Sequence, residues 1–305
     1  MLLGISSFGT GPRTGPAATL ALARDVEAHG FARFMLVERV LSNDAMAQCA
    51  AIAAGTERIG VGTGIANVYL RHPEMLGLAA AVAAEVSDGR FVLGLGPNNQ
   101  AATERAGFAW RGAREALAET TAIVRSVLDG TTGRAPACGR PVPVVWAAVA
   151  METADLAGRL ADGVMLYLAT VARTAAVLDR FGAAAADAAR ADLPLERSLL
   201  LPVFLHDDVD RARAAARRFL AFYATLPHYR KLFARSGFPV VEGEELPDGL
   251  IDAVVVAGPT STLRARLDEL AGTGLTHVDL APLPVLDDED LPAAAARLFA
   301  ALPQP

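Results

Sequence analysis

Glu38 and Arg39 follow the apolar run "FARFMLV" (31–37), and this pattern recurs along the chain. Short apolar stretches end in small sets of polar, amide or aromatic residues. Ser6, Ser7 and Phe8 close the first. Gly64, Asn67, Arg71 and His72 follow the third, and Gly96, Asn98, Asn99 and Gln100 follow the fourth. Trp146 precedes the turn "AVAME", Tyr167 and Thr170 come next, and His206, Asp207 and Asp208 follow a later run.

These residue types exclude several chemistries. A metal centre needs imidazoles and carboxylates that converge. The five histidines stand at 29, 72, 206, 228 and 277 with no His-x-His pair. "HDD" (206–208) reads as the capped start of a helix rather than a ligand set. No nucleophile elbow accompanies the serines, and "GLGPNN" (94–99) lacks the third glycine of a dinucleotide fingerprint. The single lysine, Lys231, lies in an amphipathic pattern, "FYATLPHYRKLFARSG", which leaves Schiff-base chemistry without its amine. What remains is a pocket poor in acids and bases and rich in glycines, amides and aromatics. Such a pocket suits a flat cofactor that brings its own chemistry.

The elements that would position these residues alternate strictly. Strands are expected at 2–8, 31–37, 58–64, 90–96, 141–148, 162–169, 198–205 and 276–283. Helical patterns separate them, at 17–30, from Asn43 or Asp44, from Pro73, and at 114–130, 151–160, 171–191 and 290–302. The strands are apolar throughout, as strands buried on both faces should be. Eight βα units predict a (β/α)₈ TIM barrel, with a doubly wound open sheet as the alternative. Residues 206–275 are too long for one connection and read as inserted helices between the seventh and eighth strands, with a mobile patch at 239–249. One domain, 1–305, is expected.

Composition agrees. At 305 residues and 52% hydrophobic the chain can bury a large core, and no apolar run reaches the ~18 residues of a membrane span. "MLLGISSFG" shows no leader pattern, so no signal peptide is expected. Two cysteines without a motif fit a reducing cytoplasm. A net charge of −6 with no basic aromatic run makes nucleic acid an unexpected partner.

"GTGIANVYLRHPEMLGLAAAVAAEVSDGRFVLGLGPNN" resembles the signature region of the bacterial luciferase-like flavin and deazaflavin oxidoreductases. "PVVWAAVAMETADLAGRLADGVMLYLA", "FLAFYATLPHYRKLFARSGF" and "VVVAGPTSTLRARLDELAGTGLTHVDLAPL" are similar to later parts of the same superfamily, so the likeness spans nearly the whole chain. "GPNN" followed by "ATERAGFAW" looks most like the methylenetetrahydromethanopterin reductase relatives of its F420-dependent branch.

The resemblance implies a barrel in which a deazaflavin or isoalloxazine ring packs on a bulge after the third strand. There a cis non-proline peptide maps onto Gly64–Ile65, followed by Ala66 and Asn67, with Asn67 facing the ring edge. Gly96, Asn98 and Thr170 complete the implied cofactor site. The cofactor tail is implied at the turn after the fifth strand, where Val149, Ala150 and Met151 offer backbone N–H groups and Thr153 a hydroxyl. Glu38 is the implied proton donor and Asn99 a second catalytic group. Ser6, Phe8, Arg39, Trp146 and Tyr167 would receive substrate, Arg39 by gripping an anionic group.

The sequence departs from its relatives where they carry acids, with Ser6 and Ser7 after the first strand and Asn98 and Asn99 after the fourth. Arg39 stands where the F420-dependent sugar-phosphate dehydrogenases place a histidine base. The expected activity is hydride transfer from reduced F420 to a C=N or C=C bond. FMN-dependent monooxygenation and non-catalytic flavin binding are the alternatives. A homodimer through the outer helices and a small-molecule substrate are implied as partners.

Overall fold

The computed structural model describes residues 1–8 and 15–302. In chain order the elements are β1 Leu2–Ser7, α1 Pro16–Ala28, β2 Arg33–Leu36, α2 Ala45–Gly55, β3 Gly60–Thr63, β4 Ala66–Asn67, α3 Pro73–Val86, β5 Phe91–Gly96, α4 Gln100–Arg105, α5 Ala113–Leu128 and β6 Val144–Ala147. They continue with α6 Met151–Leu160, β7 Gly163–Tyr167, α7 Val171–Asp187, β8 Glu196–Leu205, α8 Val209–Ala224, α9 Pro227–Arg235, α10 Asp248–Val254, β9 Val256–Gly258, α11 Thr260–Ala271, β10 His277–Pro282 and α12 Leu291–Ala301.

Eight parallel strands close a TIM barrel in the order β1, β2, β3, β5, β6, β7, β8, β10. Because β10 pairs with both β8 and β1, the open-sheet alternative is excluded. The expected strand over 141–148 shortens to Val144–Ala147, while that over 198–205 begins earlier, at Glu196. Besides the two-residue β4 in the bulge, two short elements were not expected. Helix α4 follows β5, and β9 interrupts the supposedly all-helical 206–275 insert by extending the upper end of β8, Val203–Leu205 against Val256–Gly258. The β-branched run Val254–Val256 is the local reason for that strand. The loop over 239–249 carries ion pairs, Arg230–Glu242 at 2.7 Å and Arg217–Glu245 at 3.3 Å.

Helix starts follow their local chemistry. Asp44, rather than Asn43, caps α2 by accepting from the Met46 and Ala47 N–H groups. Pro73 opens α3 in the first turn, where a missing N–H costs nothing. Asp208 caps α8 by accepting from the Arg211 N–H.

Three buried regions hold the fold. The largest cluster lies between the strands and the outer helices. A separate small one, Met35, Val145 and Met165 with Ile65 and Val92, fills the barrel interior. Below it, at the strand starts, Arg33 is paired with Asp279 at 2.6 Å and Glu196 at 2.9 Å. Burial alone would lower the Arg33 guanidinium, but the two carboxylates raise it above its ordinary value. The third cluster joins the insert helices to Leu168 and Phe204 on the β7–β8 side. The barrel floor is therefore plugged, and ligands can enter only at the ends where the βα loops emerge.

Candidate cofactor and active site

The bulge after β3 is the central feature. The Gly64–Ile65 peptide is cis. Its neighbours hold it from both sides: Gly64 N–H donates to Leu36 O at 2.9 Å and Glu38 N–H donates to Ile65 O at 3.1 Å. Among residues 61–69 only Ile65 is more than slightly exposed. The apex of the bulge thus faces the mouth, and its side chain packs on the interior cluster. The strip that makes room for it is on β5. A Cβ on Gly94 would lie 2.0 Å from Thr63 O, and one on Gly96 would lie 2.6 Å from Ile65 Cγ1. Gly96 therefore backs the bulge rather than forming a separate ligand contact. Gly64 itself has room for a methyl, its nearest neighbour being Met165 Sδ at 3.4 Å.

Ala66 and Asn67 are both fully buried beneath this apex. Asn67 does not face a ring edge. Its Oδ1 accepts from Tyr69 N–H at 2.9 Å and its Nδ2 donates to Thr103 Oγ1 at 3.4 Å, so the side chain points into the protein.

Glu38 is wholly buried and is not placed as a proton donor. Arg71 donates to both carboxylate oxygens, at 3.0 and 2.5 Å. Asn67 N–H donates at 2.8 Å and Ala45 N–H, at the start of α2, at 3.3 Å. With four donors converging on it, the carboxylate is an anchor that ties β2, β4 and α2 together. Arg39, exposed beside it, pairs its backbone with Asn43 Oδ1 at 2.8 Å.

The two asparagines after β5 also work on the chain itself. Asn98, at φ 57°, donates to Glu38 O at 3.0 Å and accepts from Asn99 N–H. Asn99 caps α4 by accepting the Ala102 N–H on its Oδ1 at 3.2 Å. Trp146 overturns its expectation outright. Its neighbour Val145 points into the barrel, so Trp146 points out. It is fully buried, with its indole N–H donating to Thr121 Oγ1 on α5 at 2.8 Å.

Several buried polar atoms of the described residues lack a protein hydrogen bond, and two of them belong to residues at this end of the barrel. Ser6 Oγ, inside β1, is buried and has none. Arg173 Nε is the other. It belongs to the start of α7, where Thr170 Oγ1 accepts the Arg173 N–H at 3.1 Å, and its Nη2 donates to Val149 O at 2.7 Å. The adjoining helix α6 starts at Ala150 with no side-chain cap. Its first-turn N–H groups at Met151, Glu152 and Thr153 are therefore available to a ligand. Burial, then the charge of Arg235, push the Arg173 guanidinium below its ordinary range, with Glu152 opposing both. Unsatisfied N–H groups at a helix start, an orphaned guanidinium N–H and a second arginine make a site for a strongly anionic group. Sequence reasoning named Val149, Ala150, Met151, Thr153 and Thr170 as cofactor residues but did not name Arg173. The signal was its position three residues after Thr170, on the same helical turn.

Aromatic side chains wall the adjoining space, in the same apolar cluster as Val149. Phe8 lies against Tyr167 at 6.5 Å and Phe219 at 5.9 Å, between ring centroids. Tyr167 meets Tyr223 and Tyr229 edge-on, at 5.4 and 6.1 Å. The last three come from the insert helices, which the sequence reading did not connect to the site.

The sequence profile of the luciferase-like monooxygenase family matches residues 2–277. The chain belongs to that family. As a luciferase-like family member it is 24% identical, over 284 residues, to the 5,10-methylenetetrahydromethanopterin reductase of Methanolobus tindarius, covering 84% of this chain and 87% of that one. The solved coenzyme F420 dependent tetrahydromethanopterin reductase of Methanopyrus kandleri has the same fold, with a TM-score of 0.78 at 20% identity over 98% of this chain and 97% of the other. A monooxygenase from Streptomyces bottropensis is similar at a TM-score of 0.76 and 21% identity, covering 99% and 98%. Among the described residues, no helix is long and apolar enough to cross a membrane, and no group of three metal-ligating side chains converges.

Proposed function

We propose that this protein is an F420-dependent oxidoreductase that delivers a hydride to a C=N or C=C bond of a small organic substrate. The observation that carries the reading is the anion site at the start of α6, where Arg173 Nε lacks a partner. F420 ends in a phosphate followed by carboxylates, and Arg235 adds a second positive charge beside Arg173. Relatives and solved neighbours named as F420-dependent favour F420 over FMN. The residues fit the group. Ile65 would support the ring, while Val149–Met151, Thr153, Thr170 and Arg173 would hold the tail. The bound deazaflavin would supply the hydride. The chain's own part is to seat the ring, orient the acceptor and exclude water. Free Cys49 and Cys138 support a reducing cytoplasm, and the acidic net charge argues against nucleic acid as a partner.

Calorimetric titration of the purified protein with each cofactor tests the assignment. F420 is expected to bind more tightly than FMN. Tight FMN binding without F420 binding would overturn it in favour of a flavin monooxygenase.

We also propose a homodimer. Met75, Leu78, Val82 and Val86 are exposed large apolar residues at helical spacing on α3, a helix almost without charge. A second copy would cover this stripe with its own, as two-fold symmetry allows. Light scattering should find a dimer for the wild type and a monomer for Val82→Asp. A monomeric wild type at micromolar concentration would refute this.

A further inference from the structure

The reaction needs a proton as well as a hydride, and Glu38 is engaged by four donors. Another donor must face the substrate. The aromatic wall contains one. Tyr167 Oη and Tyr223 Oη are 2.8 Å apart. Two hydroxyls joined by one hydrogen bond leave one proton for a third group. Tyr167 stands two residues above Met165 on the same face of β7, about 6.6 Å further along the strand. Met165 Sδ in turn lies against Gly64 of the bulge. The hydroxyl pair therefore stands over the shelf assigned to the ring.

We propose that Tyr223, held by Tyr167 and faced by Arg39, receives the oxygen of a planar conjugated carbonyl substrate and protonates it. This deepens the reading above and rests on it. In the reduction of an enone, hydride arrives at the β-carbon, the C=C π pair shifts toward the carbonyl, and the carbonyl π pair moves onto oxygen. The Tyr223 Oη–H bond breaks as the new O–H bond forms, leaving an enol and a phenolate. The enol returns to the ketone in water, and water reprotonates the phenolate. Tyr167 donates to that phenolate and Arg39 opposes its charge.

The surroundings favour this class of substrate. Phe8, Phe219 and Tyr229 offer ring faces and edges to a flat molecule. Among the described residues, the ionic side chain that acts on Tyr223 is the cationic Arg39, so a cationic substrate is disfavoured. Burial raises all three phenols, Tyr167 and Tyr229 well above the ordinary range. For Tyr223 alone burial is countered by both a hydrogen bond, from Tyr167, and the charge of Arg39. Tyr223 is still raised by burial, but it is the phenol of the three whose anion its surroundings oppose least.

4-Nitrophenolate, a planar oxyanion, mimics the developing charge and needs no turnover to be measured. Calorimetry at pH 8.5 would titrate it into wild type, Tyr223→Phe and Tyr167→Phe, each with and without F420, after F420 affinity has been measured separately. Nitrobenzene, with the same ring but no oxyanion, is the control. Wild type is expected to bind 4-nitrophenolate, Tyr223→Phe at least tenfold more weakly and Tyr167→Phe by a smaller factor. F420 and nitrobenzene affinities should be unchanged. Equal 4-nitrophenolate binding by wild type and Tyr223→Phe, or none by wild type, overturns the proposal. Should F420 fail to bind, the cofactor reading falls, and the titration without F420 still decides the tyrosine.

Discussion

Glu38→Ala is expected to destabilise the folded protein by about 3–5 kcal/mol, the usual consequence of removing one partner of a buried ion pair. The residue is fully buried, and its loss would strand the Asn67 and Ala45 N–H groups and leave Arg71 only the longer Asp44 contact at 3.4 Å. Glu38→Gln should fall between, because the amide keeps one acceptor but turns a donor toward Arg71. Urea unfolding at constant m would measure both. The opposite pattern, wild-type stability in Glu38→Gln with turnover alone lost, would restore Glu38 as the proton donor. The distinction matters because the same side chain has two readings. In sequence it is the acid at a strand end. In the fold it is the strap that holds Asn67, and so the bulge, against β2.

Arg173→Gln should raise the F420 dissociation constant about tenfold to a hundredfold. A hydrogen bond to a charged group is worth about 1.5–3 kcal/mol, and about 1.4 kcal/mol is tenfold. The orphaned Nε and the uncapped α6 start predict this loss together. A deazaflavin riboside without phosphate or carboxylates supplies the control, since it should bind variant and wild type alike. Wild-type affinity should also weaken with salt, because its anionic tail would meet two arginines. If Arg173→Gln weakens the riboside as much as F420, the guanidinium supports the fold rather than the tail. If it weakens neither, the tail lies elsewhere.

The barrel was legible in the sequence. Eight apolar runs, each followed by a helical pattern, demand strands buried on both faces, and a closed parallel barrel supplies that for eight of them. The bulge was legible through the stretch "GTGIAN", and the start of α6 through the turn "AVAME". Strand phase was not. A strand apolar on both faces has no alternation to read, so Trp146 could be assigned to the mouth although Val145 holds the inward position. Partner choice was equally hidden. Glu38 sits beside Arg39 in the chain but pairs with Arg71, 33 residues on, because the β3 bulge returns the chain to the end of β2. Tyr223 lies 56 residues beyond Tyr167, on an insert whose periodicity announces a helix but not the wall it packs against. Local sequence determined which elements form, through hydrophobic period, caps and prolines. Tertiary packing decided which side chains meet, because hydrogen bonds and ion pairs depend on ångström distances that strand closure and helix docking set.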